Sequence, residues 1–112
     1  MRFCFTFRPR FSSAVKAAFL DRDGVINVDY AYVHSRENFH FIPGALEGAA
    51  ELVRKGHQLI IVTNQSGIGR GKYSIDQFRE LTFWLAGVFA RNHAPLSAVY
   101  FCPHHPTHAF AP

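Results

Sequence analysis

Apolar residues along the 112-residue chain gather into three short continuous runs and two longer stretches with helical spacing. The runs are Ala17-Ala18-Phe19-Leu20, Leu59-Ile60-Ile61-Val62 and Ala98-Val99-Tyr100-Phe101. Short apolar runs without polar alternation predict strands buried on both faces. Between the first two, Ala45, Leu46, Ala49, Ala50, Leu52 and Val53 recur at helical spacing. Pro43 suits the first turn of that helix, and Gly56 suits its stop after Lys55. Between the second and third runs, Phe78, Leu81, Leu85, Val88 and Phe89 predict a helix from Ile75 to about Asn92. Ser74 with Gln77 supplies its capping box, and Pro95 ends the region.

Two stretches depart from these patterns. Val25 to Ile42 intersperses aromatic and β-branched residues among polar ones around Ser35-Arg36-Glu37-Asn38, which predicts a β-hairpin or extended flap. Thr63 to Lys72 is polar and glycine-rich, which predicts a loop. Strands alternating with helices imply an α/β chain with a Rossmann-like parallel sheet, here three core strands plus the flap hairpin.

Composition changes this picture little. A hydrophobic fraction of 48% and a charged fraction of 18% fit a globular chain. The net charge of +4 comes from scattered residues, which favours small anionic partners over nucleic acid. No apolar run is long enough to span a bilayer. Cys4 and Cys102 form no disulfide framework, which fits a reducing, cytoplasmic setting. Residues 1–15 hold three Arg and no acid, but lack the apolar core of a secretory signal; we expect an unstructured extension. The core then runs over 16–106, with 107–112 as a tail.

Chemistry concentrates where the runs end. The first run stops at Asp21-Arg22-Asp23-Gly24. Ordinary strand-to-turn junctions also use Asp and Gly. Two carboxylates at the carboxyl end of a strand can nevertheless divide the labour of nucleophile and general acid/base. Thr63 ends the second run, where its hydroxyl can either cap its own loop or bind phosphoryl oxygens. Mg²⁺ would offset repulsion between a carboxylate and a phosphate ester. Gly67, Gly69, Gly71 and Lys72 invite comparison with a nucleotide-binding P-loop. That motif fails at Ser66, where glycine is needed, and at Tyr73, where Ser or Thr is needed.

Phe19 to Asn27, F-L-D-R-D-G-V-I-N, resembles the first motif of the haloacid dehalogenase-like phosphatases, and Leu59 to Gln65 resembles their second. Cys102-Pro103-His104-His105-Pro106 resembles the opening of a zinc loop found in one branch. The resemblance covers about residues 17–106. It implies Asp21 as nucleophile, Asp23 as acid/base, Thr63 as stabiliser of the phosphoryl group, and Mg²⁺ held by Asp21 and the Asp23 carbonyl. It implies substrate contacts from Asp29, Tyr30, Ala31 and Tyr32, and from Thr63, Asn64, Gln65 and Ser66. Asp29 to Tyr32 and Ser66 to Arg70 favour a branch acting on sugar bisphosphates over one acting on histidinol phosphate. A phosphorylated sugar is then the small-molecule partner, and the intact family member is expected to be a monomer. Cys102 and His104 give half of a four-ligand Zn²⁺ site, with His105, His108 and Cys4 as the remaining candidates. The family's third and fourth motifs, a basic residue and an acidic pair, have no counterpart before Pro112. The chain therefore reads as a C-terminally truncated phosphatase, impaired in activity, with a non-catalytic phosphate-binding remnant as the alternative.

Overall fold

A computed structural model describes residues 3–7 and 16–104. The elements are β1 (Cys4–Thr6), β2 (Lys16–Leu20), α1 (Ala45–Arg54), β3 (His57–Asn64), α2 (Ser66–Gly69), α3 (Ile75–Arg91) and β4 (Leu96–Cys102). They form one four-stranded sheet in the order β1-β4-β3-β2. β2, β3 and β4 run parallel, with Leu20 opposite Ile61 and Ile61 opposite Val99. The expected α/β, Rossmann-like core is therefore present.

α3 starts and stops as its sequence dictates and α1 stops so, but Pro43, expected in the first turn of α1, lies in the turn before it and Gly44 is the N-cap. Gly44 precedes α1 with φ 85° and Gly56 follows it with φ 93°, a region that side chains avoid. At α3 the Ser74 hydroxyl accepts from the Gln77 amide while Gln77 answers to the Ser74 amide, closing the capping box. Ala49 of α1 and Phe78, Leu81, Leu85 and Phe89 of α3 join Leu59, Ile61, Val99 and Phe101 in one buried cluster. Alternation along the strands places Ile60 and Ala98 on the reverse face. Both are buried, yet Phe19 beside Ile60 is 67% exposed, and Val62 and Tyr100 are exposed as well.

Several expectations need correction. The apolar runs are not buried on both faces: β2 holds no buried residue, and Val62 and Tyr100 are exposed. The stretch from Thr63 to Lys72, expected as a loop, contains the single turn of α2. Part of the segment expected to be an unstructured extension forms β1, antiparallel to β4 with Phe5 opposite Val99. The sequence signal was the alternation Phe3, Phe5, Phe7. Phe5 stacks on Phe101 and lies against Phe78, so its burial offsets the cost of ordering the strand. The flap pairs as a hairpin only at its base, where Ile26 to Val28 meets His40 to Ile42. Its tip is a 3-10 turn at Arg36–Asn38, and Val33 and Phe39 turn inward to the core instead of alternating across a ladder. No helix among the described residues is long and apolar enough to cross a membrane.

Candidate active site

β2 delivers Asp21 and Asp23 to the carboxyl edge of the sheet, where β3 ends in Thr63 and Asn64. The chain after β3 is held there by β4. The Gln65 amide donates to the Cys102 carbonyl at 2.8 Å, and the Gly69 amide to the Pro103 carbonyl at 2.8 Å. These bonds hold Gln65 and the single turn of α2 beside the two carboxylates. The resulting cleft, about 260 Å³ in volume, is lined by Asp21, Asp23, Asp29, Tyr32, Asn64, Gln65, Ser66, Gly67 and Tyr73.

The two carboxylates stand in opposite environments. Asp21 is exposed, and one of its oxygens accepts the Arg22 amide at 2.8 Å. Asp23 is held from three directions. Its Oδ1 accepts from Arg22 Nη2 at 2.7 Å and from Asn27 Nδ2 at 2.9 Å, while its Oδ2 accepts from Gln65 Nε2 at 3.1 Å. Gln65 also donates to Thr63 Oγ1 at 2.9 Å, and its carbonyl oxygen accepts from the Tyr73 hydroxyl. Burial pushes the Tyr73 hydroxyl up to about 12; the Asp23 charge adds to the rise and Arg22 opposes it. Tyr73 therefore stays a protonated donor to Gln65 at neutral pH.

Arg22 is the residue whose role the sequence did not disclose. It is 2% exposed, donates to the Val33 carbonyl at 2.9 Å and lies over the rings of Phe39 and Phe78. A buried cation needs an anion, and Asp23 is the one it meets. Asn27, fully buried, was another unassigned support. Both stood inside the D-R-D-G-V-I-N string, but nothing in their spacing tells a buried side chain from a solvated one.

The predicted substrate contacts divide. Asp29, Tyr32, Asn64, Gln65 and Ser66 line the cleft. Tyr30 is exposed and hydrogen-bonds His40, while the Ala31 amide donates to Asp29 Oδ1. Ala31 and Tyr32 both adopt positive φ, 61° and 58°, and this sharp turn brings the Tyr32 ring to the cleft. Thr63 is 3% exposed, its hydroxyl already engaged by Gln65. Cys102 and His104 are exposed at the end of β4, and no group of three or more His, Cys, Asp or Glu among the described residues could hold a metal. His105 and His108 lie outside the described residues.

No family model matches the chain. It is 53% identical over 95 residues to the D-glycero-beta-D-manno-heptose-1,7-bisphosphate 7-phosphatase of Vibrio cholerae, covering 85% of this chain and 51% of that protein. The chain thus spans about half the length of the curated relatives it matches. The D,D-heptose 1,7-bisphosphate phosphatase of B. bronchiseptica, complexed with magnesium and phosphate, superposes with a TM-score of 0.77 at 32% identity. That match covers 82% of this chain and 52% of the other. A HAD-like phosphatase from Mesorhizobium loti gives a TM-score of 0.83 at 30% identity, over 97% of this chain and 52% of that one.

Proposed function

We propose that this chain, similar over about half their length to haloacid dehalogenase-like heptose bisphosphate phosphatases, carries the nucleophile half of such an enzyme, hydrolysing the 7-phosphate of a heptose 1,7-bisphosphate. The observation that carries this reading is the asymmetry of the carboxylates: Asp21 is open to the cleft and Asp23 is fixed by Arg22, Asn27 and Gln65.

The chemistry follows from that asymmetry. An Asp21 carboxylate oxygen attacks phosphorus, and the bond from phosphorus to the sugar oxygen breaks. Asp23 gives a proton to the departing sugar oxygen. Because Arg22 and Asn27 both donate to Oδ1, Oδ2, the oxygen shared with Gln65, is the one left to carry the proton in transit. Water then attacks the aspartyl phosphate and passes a proton back to Asp23, releasing inorganic phosphate and regenerating Asp21. Asn64 and Ser66, which line the cleft, would steady the phosphoryl oxygens, with Thr63 behind them holding Gln65.

The oxygen donors of Asp21 and the Asp23 carbonyl suit Mg²⁺, which keeps several waters and phosphate oxygens of its own. Bound there, it would supply charge neutralisation for the phosphate ester. Zn²⁺ would need two ligands beyond Cys102 and His104.

The test joins this chain to the remaining half of the Vibrio cholerae relative and measures phosphate release. Release from heptose 1,7-bisphosphate in Mg²⁺, lost in Asp21→Asn, is the expected result. A folded chimera that releases none refutes the reading. Preference for histidinol phosphate would move the chain to the other branch.

A further inference from the structure

The cleft that receives the reacting phosphate is walled by carboxylates, yet the substrate of the proposed reaction carries a second phosphate that the reaction leaves in place. Two cations lie against the ring of one residue of its lining, although neither lines the cleft itself. Arg70 Cζ lies 6.0 Å from the centre of the Tyr32 ring, and Lys72 Nζ lies 5.6 Å from it. Tyr32 itself lines the cleft. We propose that Arg70 and Lys72, gathered by the Tyr32 ring at the cleft mouth, bind the non-reacting phosphate of a sugar bisphosphate and so select bisphosphates over monophosphates; the inference rests on the phosphatase reading above.

The local structure explains why both cations arrive at this ring. Tyr32 is carried inward by the paired positive φ of Ala31 and Tyr32. Its edge packs on Gly67, where an added Cβ would come within 2.9 Å of Tyr32 Cδ1 and 2.3 Å of Tyr73 Cε1. Gly67 is thus the small residue that lets the ring settle against α2. Arg70 caps the end of α2, its amide bonded to the Ser66 carbonyl at 3.0 Å. Gly71, at φ 76°, turns the chain so that Lys72 returns to the same ring, with its amide on the Gly67 carbonyl at 2.8 Å. The turn of α2 therefore links the residues beside the reacting phosphate, Gln65 and Ser66, to two cations a few residues on.

The charges are suited to the task. Arg22 is committed to Asp23 inside the protein, so it does not serve a ligand at the mouth. Arg70 and Lys72 are both exposed. A guanidinium can grip a phosphate with two parallel hydrogen bonds, and an ammonium adds a compact charge. Contact with the electron-rich ring of Tyr32 limits where both cations sit before a ligand arrives.

The test uses the chimera described above with Asp21→Asn, which binds without turnover, titrated calorimetrically with heptose 1,7-bisphosphate and with heptose 7-phosphate in Mg²⁺. The bisphosphate should bind at least about tenfold more tightly than the monophosphate. Adding Arg70→Ala and Lys72→Ala should erase that preference and leave monophosphate affinity within about twofold. Arg70→Lys with Lys72→Arg should restore most of it. Circular dichroism checks that each variant folds; should the alanine pair unfold, Arg70→Gln with Lys72→Gln replaces it in the same comparison. Equal affinity of the parent for both sugars, or a preference that survives removal of both cations, overturns the inference and leaves the phosphatase reading standing. A folded parent that binds neither sugar overturns both.

Discussion

Arg22 and Asp23 are neighbours in sequence, yet Arg22 lies in the core behind the acid it serves, with Nη2 at 2.7 Å from Asp23 Oδ1. The pair joins three parts of the fold. Arg22 reaches the flap through the Val33 carbonyl and Phe39, and α3 through Phe78. The seat of the flap and the orientation of Asp23 therefore depend on one side chain.

This makes the two carboxylates unequal in stability. Asp23→Ala leaves a buried guanidinium without its anion and should cost about 3 kcal/mol. Asp21→Ala changes an exposed side chain and should stay within about 0.5 kcal/mol. Urea unfolding of both variants decides the matter, and equal midpoints would contradict the buried pair.

Gly67→Ala should destabilise by about 1–3 kcal/mol, because its Cβ meets the rings of Tyr73 and Tyr32 well inside contact distance. Gly48 is the control: it lies in α1 with nothing within 4 Å of an added Cβ. Gly48→Ala should stabilise by about 0.5–1 kcal/mol through helix propensity. Thermal melts of the two variants should move in opposite directions.

Tyr73 predicts a pH dependence at the alkaline end. Burial raises its hydroxyl to about 12 in the folded chain, against an ordinary value of 10.0. Between these values the unfolded chain loses the proton and the folded chain keeps it. The stability gained is complete below about pH 10 and is lost as pH rises toward 12. Other tyrosines and lysines titrate in the same range, so the quantity to read is the difference between the wild type and Tyr73→Phe. That difference should shrink steadily from pH 10 to 12, and a constant difference would count against a buried hydroxyl.

Zinc should bind weakly. Cys102 and His104 are both exposed at the end of β4, and a closed tetrahedral site needs two further ligands. Purified chain dialysed against a mild chelator should retain well under one zinc per chain by elemental analysis. Retention of one zinc together with a sharp unfolding transition would mean that further ligands complete the shell.

The sequence by itself determined that β2, β3 and β4 are parallel strands, the two crossover helices with the stop at Gly56 and the cap at Ser74, and the placing of Asp21, Asp23 and Thr63 at the edge of the sheet. Each followed from local periodicity or from a strand ending in polar residues, signals that a few adjacent positions carry. Only the tertiary structure decided that Phe3 to Phe7 closes the far edge of the sheet, because the value of that strand lies in Phe101 and Phe78, distant in sequence. It also decided that the flap tip folds inward, that Thr63 is covered and that Arg22 is buried. Whether a charge between two carboxylates faces water or the core depends on which rings and carbonyls converge on it from other elements. For Arg22 these are Phe39 and Val33 of the flap and Phe78 of α3, which no spacing within D-R-D records.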